Sequence, residues 1–323
     1  MKTLRLAADE CQAIQGLLDE LCASYPSAEE ARFLNDACVI SHDLPRRVRG
    51  FINELRNGEP PSGLGIISGF GVDEARIGPT PKDWKDNQKQ GGDVREEMLL
   101  VLYASLLGDP FAWASEQAAR IVHDIVAIKD HEDKQMSTGS QQEIWWHTEE
   151  AFHPFAADYL GLLCLRNPDR VATTFAAIDS VVLAPGHLDV LFEPRFRFLR
   201  VESHLQQGQG AEVEEPSRAA ILFGSRKSPY LRIDPYFMDL KDLDPDAREA
   251  LSALSAEIQR NLSEFVLAPG DCVLIDNYKV VHGRKPFRAR YDGQGRWLKR
   301  ISVSRDLRKS RGDLSAHGAR TVV

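Results

Sequence analysis

The chain has 323 residues, 43% of them hydrophobic and 27% charged, with a formal net charge of -8. That composition suits a folded protein with a substantial core, and its acidic balance argues against a general grip on nucleic-acid phosphates. No apolar run approaches bilayer-spanning length, and the first ten residues lack the apolar core and cleavage site of a signal peptide. Five scattered cysteines without CxxC spacing fit neither a disulfide framework nor a zinc knuckle. A cytoplasmic protein that binds neither nucleic acid nor membrane is expected.

In chain order, Asp9 is placed to open a first helix, with Gln12 as its capping-box partner and Ile14, Leu17, Leu18 and Leu21 on one face. A second helix follows Asp43-Leu44-Pro45, with Leu44, Val48, Phe51, Ile52 and Leu55 in a stripe and a solvated basic run at Arg46, Arg47 and Arg49. Gly58-Glu59-Pro60-Pro61 breaks it. Residues 65–69 read as a short buried strand whose glycines lack the helix that a dinucleotide-binding loop opens. Residues 79–93 are polar and turn-rich, as in a surface loop. The stretch from Glu97 to Leu107 is apolar nearly all round, which predicts a buried helix bracing a sheet from behind.

From about Trp113 the periodicity turns to strands. The first covers 120–126, and a polar stretch at 129–142 has the character of a lid. Strands carrying His147 and then covering 159–165 and 172–176 follow. A polar excursion over 206–218 reads as a surface insertion, with strands at 220–224 and 230–234 after it. Asp244 and Pro245 open a helix with Leu251, Leu254, Ile258 and Leu262 on one face. Strands at 271–277, 280–284 and 297–303 come next, the last closing the fold, and 305–311 is a basic surface segment. Helices first and many short strands later predict an α+β, mainly β fold. It is expected as one domain over 1–323, with a helical part at about 1–110 packed on a double-stranded β-helix, or jelly roll.

Within Trp145-Trp146-His147-Thr148-Glu149, strand alternation puts His147 and Glu149 on one face. An imidazole and a carboxylate are two-thirds of a facial triad for a divalent metal. The same pair also describes a buried histidine hydrogen-bonded to a neighbouring acid. His282 stands at a strand end far along the chain, where a jelly roll brings distant strands together. Arg296 follows it by 14 residues and Arg300 by 18. A facial-triad iron enzyme using 2-oxoglutarate needs such a cation for the distal carboxylate, which an arginine fork grips at two points.

His147-Thr148-Glu149, His282-Gly283-Arg284 and the run from Asp292 to Arg300 resemble the clavaminate-synthase-like branch of Fe(II)/2-oxoglutarate oxygenases. Within that branch the chain is most similar to the arginine and enduracididine β-hydroxylases of antibiotic biosynthesis. The likeness runs from Leu44-Pro45-Arg46-Arg47 through Ala157 to Leu163 and Leu165 to Asp169, and ends at Arg305-Asp306-Leu307. It implies His147, Glu149 and His282 as iron ligands, Arg296 and Thr174 as holders of the distal carboxylate of 2-oxoglutarate, and O2 as the second co-substrate. It implies Arg300 for the substrate α-carboxylate. Where the relatives place a glutamine for the α-amine, this chain has Glu116, with Gln117 adjacent. Asp234 resembles the acid that pairs with a guanidinium side chain, and Tyr236 stands where the arginine hydroxylase pattern has a second aspartate. Phe152 is placed to line the pocket. Thr174 and Phe152 also read as ordinary strand and core residues, and Arg300 as a structural ion-pair partner. Among the other histidines, His123 and His131 flank the lid, His153 reads as packing, and His42, His187, His204 and His317 read as surface.

The implied reaction is hydroxylation of an unactivated carbon, Cβ first, of a free L-amino acid. L-arginine leads, with enduracididine, citrulline, homoarginine and lysine behind it; Cγ hydroxylation or desaturation would use the same residues. Two rivals come from other classes. A zinc hydrolase would not need Arg296 buried opposite, and no HExxH helix is present. A non-catalytic metal-binding jelly roll would tolerate loss of a triad member, and none is lost.

Overall fold

The computed structural model describes residues 1–87, 92–199, 218–316 and 319–323. The expected insertion at 206–218 lies outside the described residues except for Arg218. Helices α1 (Ala8–Ser24), α2 (Ala31–Ile40) and α3 (Arg46–Gly58) lead the chain. Two single turns, α4 (Glu74–Ile77) and α5 (Trp84–Asn87), precede α6 (Val94–Ser105). Later come α7 (Pro185–Leu191) and α8 (Pro245–Arg260).

The apolar stripes fold as their spacing requires. Ile14, Leu18 and Leu21 of α1 and Val48, Ile52 and Leu55 of α3 are buried. The first cap differs from expectation. The helix begins at Ala8, so Glu10 rather than Gln12 reaches back, its Oε2 accepting the Ala7 N–H at 2.8 Å. Helix α2 was not foreseen, because Phe33, Leu34 and Ala37 make too short a stripe. In α6 every residue from Glu96 to Ala104 is buried. Asp244 caps α8 by accepting the Ala247 N–H at 3.0 Å.

The strands run β1 (Lys2–Arg5), β2 (Leu64–Ser68), β3 (Asp109–Trp113), β4 (Val122–Val126), β5 (Ile144–His147), β6 (Tyr159–Arg166) and β7 (Thr173–Ala177). Short strands β8 (Phe196–Phe198), β9 (Arg218–Ala219), β10 (Leu222–Ser225), β11 (Ser228–Leu231) and β12 (Met238–Asp239) follow. Then come β13 (Ser263–Phe265), β14 (Cys272–Asp276), β15 (Val280–Arg284), β16 (Trp297–Ser304) and β17 (Thr321–Val322). The large sheet has the order β1-β2-β14-β6-β16-β3-β17, with β4 also on β16, and the smaller one β13-β7-β15-β5. Leu64, Leu160, Val273 and Leu298 from the large sheet meet Phe265 and Val280 from the small one in the layer between them. The helices α1, α2, α3 and α6 cover the outside of the large sheet, while Leu251, Leu254 and Ile258 of α8 cover Ala176 and Val281 behind the small one. Two facing sheets with helices outside are the expected jelly roll.

Two further local expectations fail. Residues 79–93 are not a plain surface loop: they hold α5, and buried Asn87 donates to Asp93 at 2.8 Å and to Asp124 at 3.0 Å. Nor does β16 close the fold, since β17 pairs in parallel with β3. Two residues are too few for periodicity to register. Among the described residues no helix is long and apolar enough to cross a membrane.

Candidate active site

A cavity of about 530 Å³ lies between the sheets, walled by residues of β4, β5, β6, β15 and β16 and by 128–138 of the lid stretch. Strand β15 runs between β7 and β5, and His282 stands opposite both Phe175 and His147. Gly283 permits that closeness, because a Cβ there would collide with the Ile144 carbonyl and lie 2.9 Å from Thr174 Oγ1. Strand β5 ends at His147, so Glu149 is not placed by strand alternation. A loop places it instead. Asn277 Oδ1 accepts the Glu149 N–H at 2.8 Å, and Asn277 Nδ2 donates to the carbonyls of Glu149 at 3.2 Å and Ala157 at 2.9 Å.

The ligating atoms of His147, Glu149 and His282 all lie within 4.8 Å of one another. Glu149 Oε1 is 3.2 Å from His282 Nε2 and 3.7 Å from His147 Nε2. His147 Nδ1 lies 2.8 Å from the Trp145 carbonyl, which assigns the proton to Nδ1 and leaves Nε2 for a metal. Burial works against charge on His147, but Glu149 and the field of Asp234 outweigh it and lift its pKa to about 9. Burial pulls His282 down. Burial would raise Glu149, yet Arg300 and the two histidines hold it well below the usual carboxylate range. Two imidazoles and a carboxylate that stays ionised fit Fe(II) as a facial triad.

Arg296, Leu298 and Arg300 alternate toward the cavity, as period-2 geometry requires. Arg296 is buried, its Nε has no partner, and burial pushes its pKa down to about 10 with no carboxylate acting on it. Beside it Arg284, also buried, donates to the carbonyls of Gly139 and Gln142, and burial with the field of Arg296 brings it to about 9. This region of the cavity holds positive charge without acid.

Around Arg300 the balance reverses. Its guanidinium donates to Glu149 Oε2 at 3.2 Å and to Glu116, and lies 2.9 Å from His123 Nδ1. Burial and Arg300 push His123 down to about 4. Gln117 touches the cavity, but its amide is occupied: Nε2 donates to the Asp124 carbonyl at 2.9 Å and Oε1 accepts the Asp124 N–H at 3.0 Å. Asp234 Oδ1 accepts the N–H groups of Tyr236 at 3.1 Å and Phe237 at 3.3 Å. Burial raises its pKa. Trp145 and Tyr236, 52% and 54% exposed, line the cavity where it meets solvent.

Residues 96–302 match the family described as taurine catabolism dioxygenase TauD, TfdA family. The chain belongs to the TauD/TfdA dioxygenase family. It is 41% identical to the enduracididine beta-hydroxylase of Streptomyces hygroscopicus, and the match covers 96% of each chain. It is 38% identical to the L-ornithine/L-arginine 3-hydroxylase of Catenulispora acidiphila, again over 96% of each. The crystal structure of the non-heme iron oxygenase OrfP in complex with Fe, succinate and (3S)-hydroxy-L-Arg superposes with a TM-score of 0.94 at 40% identity, covering all of both chains. The cofactor set of this dioxygenase is Fe(II), 2-oxoglutarate and dioxygen.

In this TauD/TfdA dioxygenase the cavity gathers His147, Glu149, His282, Arg296, Arg300, Asp234, Glu116, Gln117 and Tyr236 from the positions singled out above. Two others fall elsewhere. Thr174 pairs with Gly283 and lies on the outer face of the small sheet, whereas Thr173, paired with Arg284, lines the cavity. Phe152 packs edge-on to His153 and against the core behind the small sheet. His123 and His131 both reach the cavity, and His153 packs against Trp113 at 4.6 Å between ring centroids. Arg284, Thr173 and Glu150 were overlooked. The alternation that selected His282 also selects Arg284, two residues on, but no sequence signal turns Glu150 inward.

Proposed function

We propose that this dioxygenase hydroxylates free L-arginine at Cβ. The observation that carries the reading is the division of charge around the triad. Two buried guanidinium groups without acids, Arg284 and Arg296, suit the distal carboxylate of 2-oxoglutarate, with Thr173 as its hydroxyl neighbour. Acids dominate the other part of the cavity, where Arg300 suits the substrate α-carboxylate and Asp234 a cationic side-chain head. Iron, 2-oxoglutarate and dioxygen supply the oxidant that replaces C–H by C–OH while 2-oxoglutarate becomes succinate and carbon dioxide. The chain's own residues hold and orient. Anchors at the two ends of the amino acid leave its middle carbons facing His147, Glu149 and His282, and the lid stretch around Met136 and Thr138 excludes water.

The enduracididine hydroxylase and the ornithine/arginine hydroxylase are both similar over 96% of the chain. With one acid, Asp234, beside half-exposed Tyr236, a cyclic guanidine is the second reading. The test is protein reconstituted anaerobically with Fe(II), 2-oxoglutarate and ascorbate, then exposed to air with a panel of free amino acids. The panel holds arginine, enduracididine, ornithine, homoarginine, citrulline and lysine. Mass spectrometry should find one oxygen added to arginine, with succinate in equal amount, and NMR should place it on Cβ. Enduracididine modified in preference to arginine would install the second reading. Succinate without any modified amino acid would remove both.

A further inference from the structure

Strand β15 ends at Arg284, and Lys285-Pro286-Phe287 carries the chain off the sheet. Proline has no N–H to continue a ladder, so the next donor is free to bond elsewhere. The Phe287 N–H donates to the Ser140 carbonyl of the lid stretch at 2.9 Å. With its backbone held there, the Phe287 ring meets two guanidinium groups. Arg284 Cζ lies 5.0 Å and Arg296 Cζ 6.0 Å from the ring centroid. Phe287 is partly buried and is not part of the cavity wall, whereas both arginines are.

Those arginines sit close together without a counter-charge. Both are buried, the Nε of each has no hydrogen-bond partner, and among the described residues no carboxylate acts on either. Side by side, two like charges repel, and the field of Arg296 works against the charge on Arg284. The lid restrains Arg284 in the plane of its guanidinium, which donates to the Gly139 carbonyl and, at 2.7 Å, to the Gln142 carbonyl. Phe287 adds the other kind of contact. An aromatic face attracts a cation through its quadrupole and needs no counter-charge. An acid in its place would attract the guanidinium groups too, but it would compete with any carboxylate that enters. The ring does not compete, because guanidinium N–H groups bond a carboxylate in their own plane.

We propose that Phe287 is a positioning residue for 2-oxoglutarate, its ring holding Arg284 and Arg296 as a pair toward the distal carboxylate while its N–H fixes it to the lid stretch. The proposal rests on the reading of those two arginines as the distal-carboxylate anchor. Phe287 acts through them.

The test compares 2-oxoglutarate with 2-oxopentanoate, in which a methyl group replaces the distal carboxylate. Both keep the keto-acid end that chelates iron, so their affinity ratio reports the distal anchor alone. Calorimetry measures both on the anaerobic Fe(II) form of wild type, Phe287→Leu and Phe287→Tyr. Leucine keeps the apolar bulk and loses the π face, whereas tyrosine keeps the face. A partly desolvated cation–π contact corresponds to roughly fivefold to thirtyfold in affinity. Phe287→Leu should therefore erase about fivefold or more of the wild-type preference for 2-oxoglutarate. Phe287→Tyr should retain that preference within about twofold. Iron content and 2-oxopentanoate affinity should match wild type in both variants. A Phe287→Leu protein that keeps the full preference, weakens both keto acids alike or loses iron overturns the positioning role. An equal loss in the leucine and tyrosine variants overturns it as well. Failure of the anchor reading looks different: wild type itself would not distinguish the two keto acids.

Discussion

The proposed reading gives the distal carboxylate of 2-oxoglutarate to Arg296 and the side-chain head to Asp234, and each can be removed separately. Arg296 is buried without an acid, so the anion it receives should depend on the two-point geometry of a guanidinium and not on charge alone. Arg296→Lys is expected to raise KM for 2-oxoglutarate at least about tenfold while KM for the amino acid stays within about twofold, measured by succinate release. A lysine variant with unchanged KM would take Arg296 out of the co-substrate site. Asp234→Asn keeps an oxygen for the Tyr236 and Phe237 N–H groups but removes the charge. A charge-assisted bond contributes about 1.5–3 kcal/mol, so KM for arginine should rise about tenfold or more and KM for 2-oxoglutarate should not move. Equal rises in both would show that Asp234 supports the cavity instead of reading the side chain. Both positions were legible because the long resemblance covers them, although Asp234 lies beyond the end of β11 and Arg296 just before β16. Thr174, implied by the resemblance, lies one residue from Thr173, which lines the cavity, and one residue in a strand is a change of face. Glu150 was invisible for a different reason: a left-handed backbone imposed by Asn277, distant in sequence, overrides alternation.

At the scale of elements, the turn carrying Glu116 and Gln117 has the least regular backbone near the site. Gln117, Ala118 and Ala119 have φ of 38°, 58° and 61°, a run of left-handed residues that costs L-amino acids roughly 1–2 kcal/mol each. Its surroundings hold it. The Gln117 amide closes on Asp124, Arg120 donates to Glu97 at 2.7 Å, and Glu29 accepts the N–H groups of Ile121 at 2.8 Å and Val122 at 2.9 Å. Behind it fully buried Lys299 joins Asp93 of the α6 cap, Glu97 of α6 and Asp124 of β4 at 2.5–2.8 Å. Ala118 is exposed, so Ala118→Gly loses little contact and relieves the strain. It should raise unfolding free energy by about 0.5–1 kcal/mol, read from the urea midpoint. An unchanged or lower midpoint would mean that the turn carries no strain. Local signals could not reveal this turn, since Gln-Ala-Ala reads as helix by propensity. They did reveal α1, α3 and α8, whose stripes are buried on one side, and α6 and the long strands β6 and β16, which are buried nearly throughout. They missed α2, α5 and β17, which are too short to show a period and are held by tertiary partners.

For the molecule as a whole, the buried titrating groups pull stability in opposite directions with pH. His123 is held near 4, so the unfolded chain binds a proton that the native chain refuses, and stability falls as pH drops from the ordinary histidine value toward 4. Asp276 does the reverse. Burial chiefly, with Glu59 adding to it, raises its carboxyl from 3.8 to about 7, against the pull of the Tyr278 N–H. Between those values the native chain binds the extra proton, so stability declines as pH rises through the window and the penalty is complete above it. One pKa unit corresponds to about 1.4 kcal/mol, which makes about 4 kcal/mol an upper bound before relaxation. Asp276→Asn keeps an acceptor for Tyr278 and carries no charge. It should therefore raise unfolding free energy by about 1–2 kcal/mol at pH 8 and leave it unchanged at pH 4, by urea unfolding at the two pH values. A gain of equal size at both would assign the effect to packing, and a loss at pH 8 would mean that the ionised aspartate has a partner strong enough to repay its burial. Asp276 adjoins Asn277, the residue that grips Glu149, so the variant also tests whether the two neighbours act independently. Asp276 answers to Glu59 and Lys279, and Asn277 to Glu149 and Ala157. Iron content and turnover of the Asp276→Asn enzyme at pH 7 should accordingly match wild type, and a fall in either would show that the stability of β14 and the position of Glu149 are coupled.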